Sequence, residues 1–391
     1  MKKNLFGWLV MAAMLVGTGC STDEVVNDYS PENAIQFGTY VGRDAESRAS
    51  VIDEAVLQEE AKGFGVYAYY TGQDNFDPVN SSPNFMCNEE VKWNASSGWS
   101  YAPTKYWPNN FNDKLTFFAY APLNDSHITV PTKTSKGNPV LVFSVDNTVA
   151  NQIDLLYADD NTPDNSKYDY LNITKQSVGG NILFNFKHAL SRVAFKVQAM
   201  VDKVNGDQNG DNDDASDESA GIHGSTTIAV KQVELIGKFA TWGYLNLNGG
   251  TWLYGEVTED KIYSLESANF NEIANNVTVN EEKLNNDQSY MMIIPKYLDG
   301  KSDIDSSNDD LKDKVQIRVT YTVKTTDENL LLGYSEITNV ITTEPFIFNF
   351  KQGEAYTFCL HLGLTSVKID ADVTDWAEQD ETAINVPING N

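Results

Sequence analysis

The sequence predicts an all-β chain built from sandwiches, and three observations carry that prediction. Apolar and polar residues alternate with period two over several runs, Gly, Asn, Asp and Pro fall between the runs, and helical periodicity is scarce. Val315, Ile317, Val319, Tyr321 and Val323 alternate with Gln316, Arg318, Thr320 and Thr322, as half-buried strands do. Tyr356, Phe358, Leu360, Leu362 and Leu364 repeat the pattern against Thr357, Cys359, His361 and Gly363. Val193, Phe195 and Val197 face away from Ala194, Lys196 and Gln198, and Val367, Ile369, Ala371 and Val373 form a fourth run. Residues 64–70 and 115–121 are denser and read as strands buried on both faces. Only 53–62, after Val51 and Ile52, suggests a helix. Many short strands with such turns favour sandwiches over a parallel sheet with crossover helices. No solenoid or propeller repeat is present.

The N-terminus reads as an export signal. Lys2 and Lys3 precede an apolar run over 5–16, then small Gly17, Thr18 and Gly19 lead to Cys20. This is the layout of a secretory signal peptide, and the run is too short to span a hydrocarbon core, which takes about 20 apolar residues. The small-small-Cys ending looks like a lipobox, although Gly17 stands where Leu or Val is usual. Cys20 is therefore the expected lipidation site; the plainer reading is a signal peptide that happens to contain a cysteine. Residues 21–31 are polar and acidic and read as a tether. Further along, 159–167, 205–224 and 301–313 read as loops, and a boundary is expected within 160–181.

Composition removes several function classes. Asp and Glu number 55 against 28 Lys and Arg, for a formal net charge of −27. Nucleic acid and anionic lipid both call for Lys and Arg, so neither is an expected partner. After Cys20 only Cys87 and Cys359 remain, enough for one bridge but not for a disulfide scaffold. With 19 Tyr, 18 Phe and 7 Trp, aromatic packing supplies the core.

Candidate chemistry is thin. Asp207, Asn209, Asp211 and Asp213, with Glu218 at the twelfth position, have the spacing of a calcium loop. Asn212 stands where such a loop needs Gly, and flanking helices are missing, so an acidic loop is the better reading and no metal or other cofactor is expected. His127, His188, His223 and His361 are too scattered for zinc; His188 is expected to make a structural hydrogen bond. No nucleophile elbow, phosphate loop or metalloprotease motif occurs, and no enzymatic activity is expected. Trp93, Trp99, Trp107, Trp242 and Trp252 could line a carbohydrate surface, but aromatic residues of a sandwich more often fill its core.

Four segments, in this order, carry a family resemblance. They are Ala34-Ile-Gln-Phe-Gly-Thr-Tyr with Ser47-Arg48-Ala49; Gly65-Val-Tyr-Ala-Tyr-Tyr with Lys105-Tyr-Trp-Pro and the strand over 115–122; Phe184-Asn-Phe-Lys-His-Ala-Leu-Ser-Arg-Val-Ala-Phe-Lys-Val; and Gly353-Glu-Ala-Tyr-Thr-Phe through to Trp376. Behind a lipoprotein signal, this combination resembles the fimbrillin family, the subunits of type V pili in Bacteroidales. The resemblance implies two tandem transthyretin-like β-sandwich domains and assembly by donor-strand exchange. In that scheme a trypsin-like, Arg-specific protease cuts near the N-terminus, the first strand leaves, and a strand of another subunit fills the groove by β-augmentation.

Mapped onto this sequence, the resemblance implies the following division. Residues 1–19 are the signal peptide, 20–48 the tether and removable strand, 49–175 and 176–376 the two sandwiches, and 377–391 a tail. Ile35 and Phe37, continued by Thr39, alternate as a removable strand should. Arg48, flanked by small Ser47 and Ala49, is the expected cut, with Arg43 a second; without the resemblance Arg48 reads as an ordinary loop residue. Ile384, Val386 and Ile388 alternate as a donor strand should, with Pro387 removing one N–H; a last strand of the second sandwich or a frayed tail would alternate likewise. The expected function is a structural subunit of a cell-surface fimbrium, delivered to the outer membrane as a lipoprotein through Cys20. Its expected partners are other fimbrillin-like subunits and the protease. The alternative is a surface-anchored lipoprotein or tip adhesin that binds glycans or host proteins.

Overall fold

A computed structural model describes residues 30–41, 51–59, 62–158, 170–200, 226–286, 289–295, 314–326, 329–375 and 382–384. The strands of the N-terminal half are β1 (Gln36–Val41), β2 (Phe64–Gly72), β3 (Met86–Asn94), β4 (Gly98–Ser100), β5 (Lys114–Ala121), β6 (Ile128–Thr129), β7 (Val140–Ser144), β8 (Leu156–Ala158), β9 (Asn181–His188) and β10 (Ser191–Ala199). Next come β11 (Thr226–Gly237), β12 (Trp242–Asn246), β13 (Thr251–Leu253), β14 (Lys261–Glu266), β15 (Glu282–Lys283) and β16 (Met291–Ile293). The last are β17 (Lys314–Thr326), β18 (Tyr334–Thr342), β19 (Phe346–Ile347), β20 (Glu354–Leu362), β21 (Val367–Asp375) and β22 (Thr382–Ile384). The chain is all-β, as the period-two runs require. The alternating runs fall in strands: 193–197 in β10, 315–323 in β17, 367–373 in β21, and the run over 356–364 in β20 except for Leu364, which lies past its end.

These strands form four sheets. The first has the order β1-β9-β8-β5-β2-β3-β4 and the second β15-β10-β20-β21-β22, with β16 also on β10. The third runs β14-β11-β17-β18, with β19 on β17, and the fourth β13-β12-β7-β6. Sheet membership crosses residue 175/176. Strand β9 completes the first sheet beside β1 and β8, and β7 pairs with β12.

Strands β2 and β5 are buried along most of their length on both faces. One face joins Phe64, Val66, Phe117 and Ala119 to Ile35, Phe37, Phe184 and Phe186 in a compact core. The other places Tyr67, Tyr69, Phe118 and Tyr120 in a larger core shared with Leu141, Phe143, Phe195 and Phe358. Two buried faces explain why 64–70 and 115–121 lack polar alternation.

The helix expected over 53–62 is a single turn, α1 (Glu54–Leu57). Asp53 caps it, its Oδ1 accepting from the Val56 N–H at 2.7 Å. The chain must then reverse into β2. Gly63 makes that turn at φ +80°, and a Cβ there would sit 2.4 Å from the Val91 carbonyl oxygen. No other residue type fits this position. Cys87 in β3 and Cys359 in β20 form no disulfide.

Candidate functional site

Strand β1 lies at the end of the first sheet, parallel to β9, with Gln36 opposite Asn181 through Val41 opposite Phe186. Residues Ile35, Phe37 and Val41 point into the core and are 1%, 8% and 4% exposed. Phe37 is the centre of an aromatic cluster. Its ring lies 5.3 Å from Tyr101, 5.5 Å from Phe184, 6.2 Å from Phe117 and 6.3 Å from Phe64. Three fully buried side chains of this kind contribute roughly 5–9 kcal/mol. That is a large part of the ~5–15 kcal/mol that keeps an ordinary domain folded. Removal of β1 would therefore open an apolar groove.

The opposite side of β1 is held by fewer, mostly side-chain bonds. The sheet rolls so that its two end strands meet: the Trp99 indole on β4 donates to Thr39 Oγ1 at 2.9 Å. Thr39 Oγ1 in turn donates to Glu54 Oε1 at 2.6 Å. Upstream, Ile35 N–H donates to the Lys105 carbonyl at 2.9 Å and Trp107 N–H to the Asn33 carbonyl at 2.9 Å. The Tyr101 hydroxyl donates to the Ile35 carbonyl at 2.9 Å, and burial pushes that hydroxyl up to about 12. Between these anchors an open cleft of about 500 Å³ runs along β1, lined by Gln36, Glu54, Gln58, Trp93, Trp99 and Leu183. Among the described residues, one edge of β1 thus has a full ladder and the other does not.

The chain is fixed again soon after this strand. Val51 and Ile52 are buried, and Ile52 N–H donates to Asp154 Oδ2 at 3.0 Å. The same oxygen lies 2.8 Å from His188 Nδ1. Asp154 and His188 are themselves buried. His188 makes the structural hydrogen bond expected of it.

The predicted site residues divide as follows. Phe37 and Thr39 sit in β1, and Ile35 immediately precedes it. Ile384 is the last residue of β22, whose backbone pairs with β21 through Thr382 opposite Val373 and Ile384 opposite Ala371. Cys20, Arg43, Arg48, Ala49, Val386 and Ile388 lie outside the described residues, as does the acidic pattern over 207–218. Among the described residues no cluster of His, Cys, Asp and Glu has the makings of a metal site. Trp107 and Trp252 are core residues whose indoles donate to the carbonyls of Gly180 and Ala189. Trp93 and Trp99 pack on each other at 5.2 Å, and Trp242 is exposed. The sequence did not single out Trp99, Tyr101 or Asp154 as holders of β1 and its continuation. The only signal was the dense aromatic stretch over 93–107, which period-two reasoning cannot aim at a particular strand.

Comparison with known proteins places this slot in context. A family profile described as fimbrillin-like matches residues 47–376, beginning just after β1. The fimbrium subunit Fim1C of Phocaeicola vulgatus is 28% identical, covering 97% of this chain and 98% of that protein. The crystal structure of a fimbrial protein from Bacteroides vulgatus superposes with a TM-score of 0.62 at 20% identity, covering 88% of this chain and 99% of that one. With the profile spanning most of the chain, the protein belongs to the fimbrillin-like family.

Proposed function

We propose that the protein is a structural subunit of a cell-surface fimbrium, assembled from a lipoprotein precursor by replacement of β1 with a strand of another subunit. The observation that carries this reading is the seat of β1: deeply buried apolar side chains on a strand laddered along one edge only. The family and the similarity to a fimbrium subunit support the same reading.

The connection between β1 and Val51 holds Arg43 and Arg48. A trypsin-like cut after Arg48 would free β1 and leave the new N-terminus at Ala49, two residues before the buried Val51 and three before the Asp154 bond at Ile52. The rest of the fold would keep its anchor while the slot opens. Ile384, Val386 and Ile388 have the same period-two spacing as Ile35, Phe37, Thr39 and Val41, so the tail of one subunit matches the slot of another. Here the lipid on Cys20 serves delivery to the outer membrane and departs with residues 20–48. The chain's role is structural, not catalytic.

The test is N-terminal sequencing of the protein recovered from the cell surface. A chain beginning at Ala49 supports the reading; a chain that keeps a lipidated Cys20 overturns it. A second reading, an adhesin that binds glycans, has one observation in its favour: Trp242 and Tyr244 are exposed on β12 with rings 5.5 Å apart. Saturable glycan binding by the uncut protein, lost in Trp242→Ala, would favour it.

A further inference from the structure

Strand β18 ends the third sheet, and among the described residues it pairs with β17 alone. The pairing is long, with Tyr334 opposite Thr326 through Thr342 opposite Arg318, and no register shift interrupts it. In an antiparallel pair, alternate residues turn both N–H and C=O away from the partner, so β18 offers a row of backbone donors and acceptors at the sheet's edge. Natural edges are blunted by Lys, Pro, bulges or shortness. Strand β18 has no Lys, Arg or Pro and no bulge.

Its side chains compound the exposure. Ile337 and Val340, on opposite faces, are 60% and 61% exposed, and Leu331 and Leu332 in the turn before it are 101% and 73% exposed. The core-side face is covered as far as Asn339, whose Nδ2 donates to the Leu364 carbonyl at 2.8 Å, and Ile337 lies beyond that cover. Apolar side chains exposed on both faces of one strand mark it as an interaction surface, and a backbone edge that is unpaired among the described residues calls for a strand as its occupant.

We infer that the occupant is β18 of a second copy, paired antiparallel about a two-fold axis at Ile337. The strand is complementary to itself in that register. Tyr334 falls opposite Val340 twice, an aromatic against a β-branched residue, and Ser335 falls opposite Asn339. Glu336, the one charged residue of β18, meets Thr338. A register centred on Glu336 would set the two carboxylates face to face, which destabilises a sheet. Such an interface is isologous and closes as a dimer. The net charge of −27 opposes association at a distance, but at physiological ionic strength it is screened beyond about 8 Å. Because β18 and β1 belong to different sheets, this contact is independent of strand exchange and would join subunits laterally.

The full chain carrying Arg48→Ala separates this contact from processing. On mild oxidation, Ile337→Cys is expected to give a disulfide-linked dimer at least tenfold more abundant than Thr251→Cys, an exposed position on β13. In sedimentation velocity at physiological salt, Ile337→Lys is expected to reduce the dimer fraction at least tenfold; the exposed position leaves the fold intact. Equal cross-linking at the two positions, or sedimentation unchanged by Ile337→Lys, overturns the inference. Capture of a different fimbrial subunit in place of a second copy overturns the choice of occupant.

Discussion

The Trp99 indole N–H donates to the Thr39 hydroxyl at 2.9 Å, so the last strand of the first sheet clasps the first. This bond and its continuation to Glu54 are the main polar ties on the open side of β1. A neutral hydrogen bond of this kind stabilises by about 1 kcal/mol. In Trp99→Phe, hydrogen exchange at the amides of Gln36–Val41 is therefore expected to quicken by about fivefold, while exchange in β20 stays unchanged. Unchanged exchange in β1 would show that the clasp does not hold the strand.

Phe37 carries more. Its ring touches those of Tyr101, Phe184, Phe117 and Phe64, and Phe→Ala changes in a core cost about 3–5 kcal/mol. Phe37→Ala is expected to lower the denaturation midpoint of the uncut protein markedly. In protein already cut and released from β1 it is absent with the strand, so wild type and variant should there have equal midpoints. A small effect on the uncut chain would mean that β1 is not part of the core it fills.

The alternating strands were legible because one face of each fills a core while the other carries polar side chains that are mostly only partly covered. That rule found β10, β17, β20 and β21, and it marked Ile35 and Phe37 as a pair facing the same way. It could not show that β1 runs beside β9, since no local pattern encodes a parallel partner some 145 residues away. It also passed over β18, where Tyr334, Ile337, Val340 and Ile341 break alternation because neither face is fully covered. The short helix was overestimated because residues up to Lys62 are compatible with a helix, whereas the helix ends at Leu57 and the chain turns into β2 at Gly63. The cleavage and lipidation residues rest on the sequence alone.

Asp154 should decide whether the fold tolerates loss of β1. Asp154→Ala removes the shared acceptor of the Ile52 N–H and of His188. Each buried donor left unsatisfied costs about 1–3 kcal/mol, so a loss of roughly 2–5 kcal/mol is expected by chemical denaturation. After cleavage, the variant should lose protection at Ile52 and α1 as well as β1. If only β1 is affected, the anchor lies elsewhere.

Alkaline pH offers a separate test of the aromatic cores. Burial pushes Tyr101 up to about 12, and Tyr67, Tyr69, Tyr120, Tyr263 and Tyr356 higher still. The fold favours the un-ionised phenol, so the folded-state pKa lies above the unfolded value near 10. Stability from these groups is complete below about pH 10 and falls as pH rises above it, through about 12 for Tyr101 and further for the more strongly shifted phenols. Ultraviolet titration should show these phenols ionising together with loss of near-ultraviolet circular dichroism. Their ionisation near 10 in a still-folded protein would contradict the burial described.

Strand replacement is tested most directly by hydrogen exchange at β9, the neighbour that β1 leaves behind. The Ile182 and Phe184 amides, which face β1, should be protected in the uncut chain, exposed after cleavage at Arg48, and protected again when a peptide spanning 380–391 is added, while the Asn185 N–H, bonded to the Tyr170 hydroxyl, is the internal control. Protection of β9 that persists after cleavage with β1 still in place, or a vacated slot that the peptide leaves unprotected, would contradict the account.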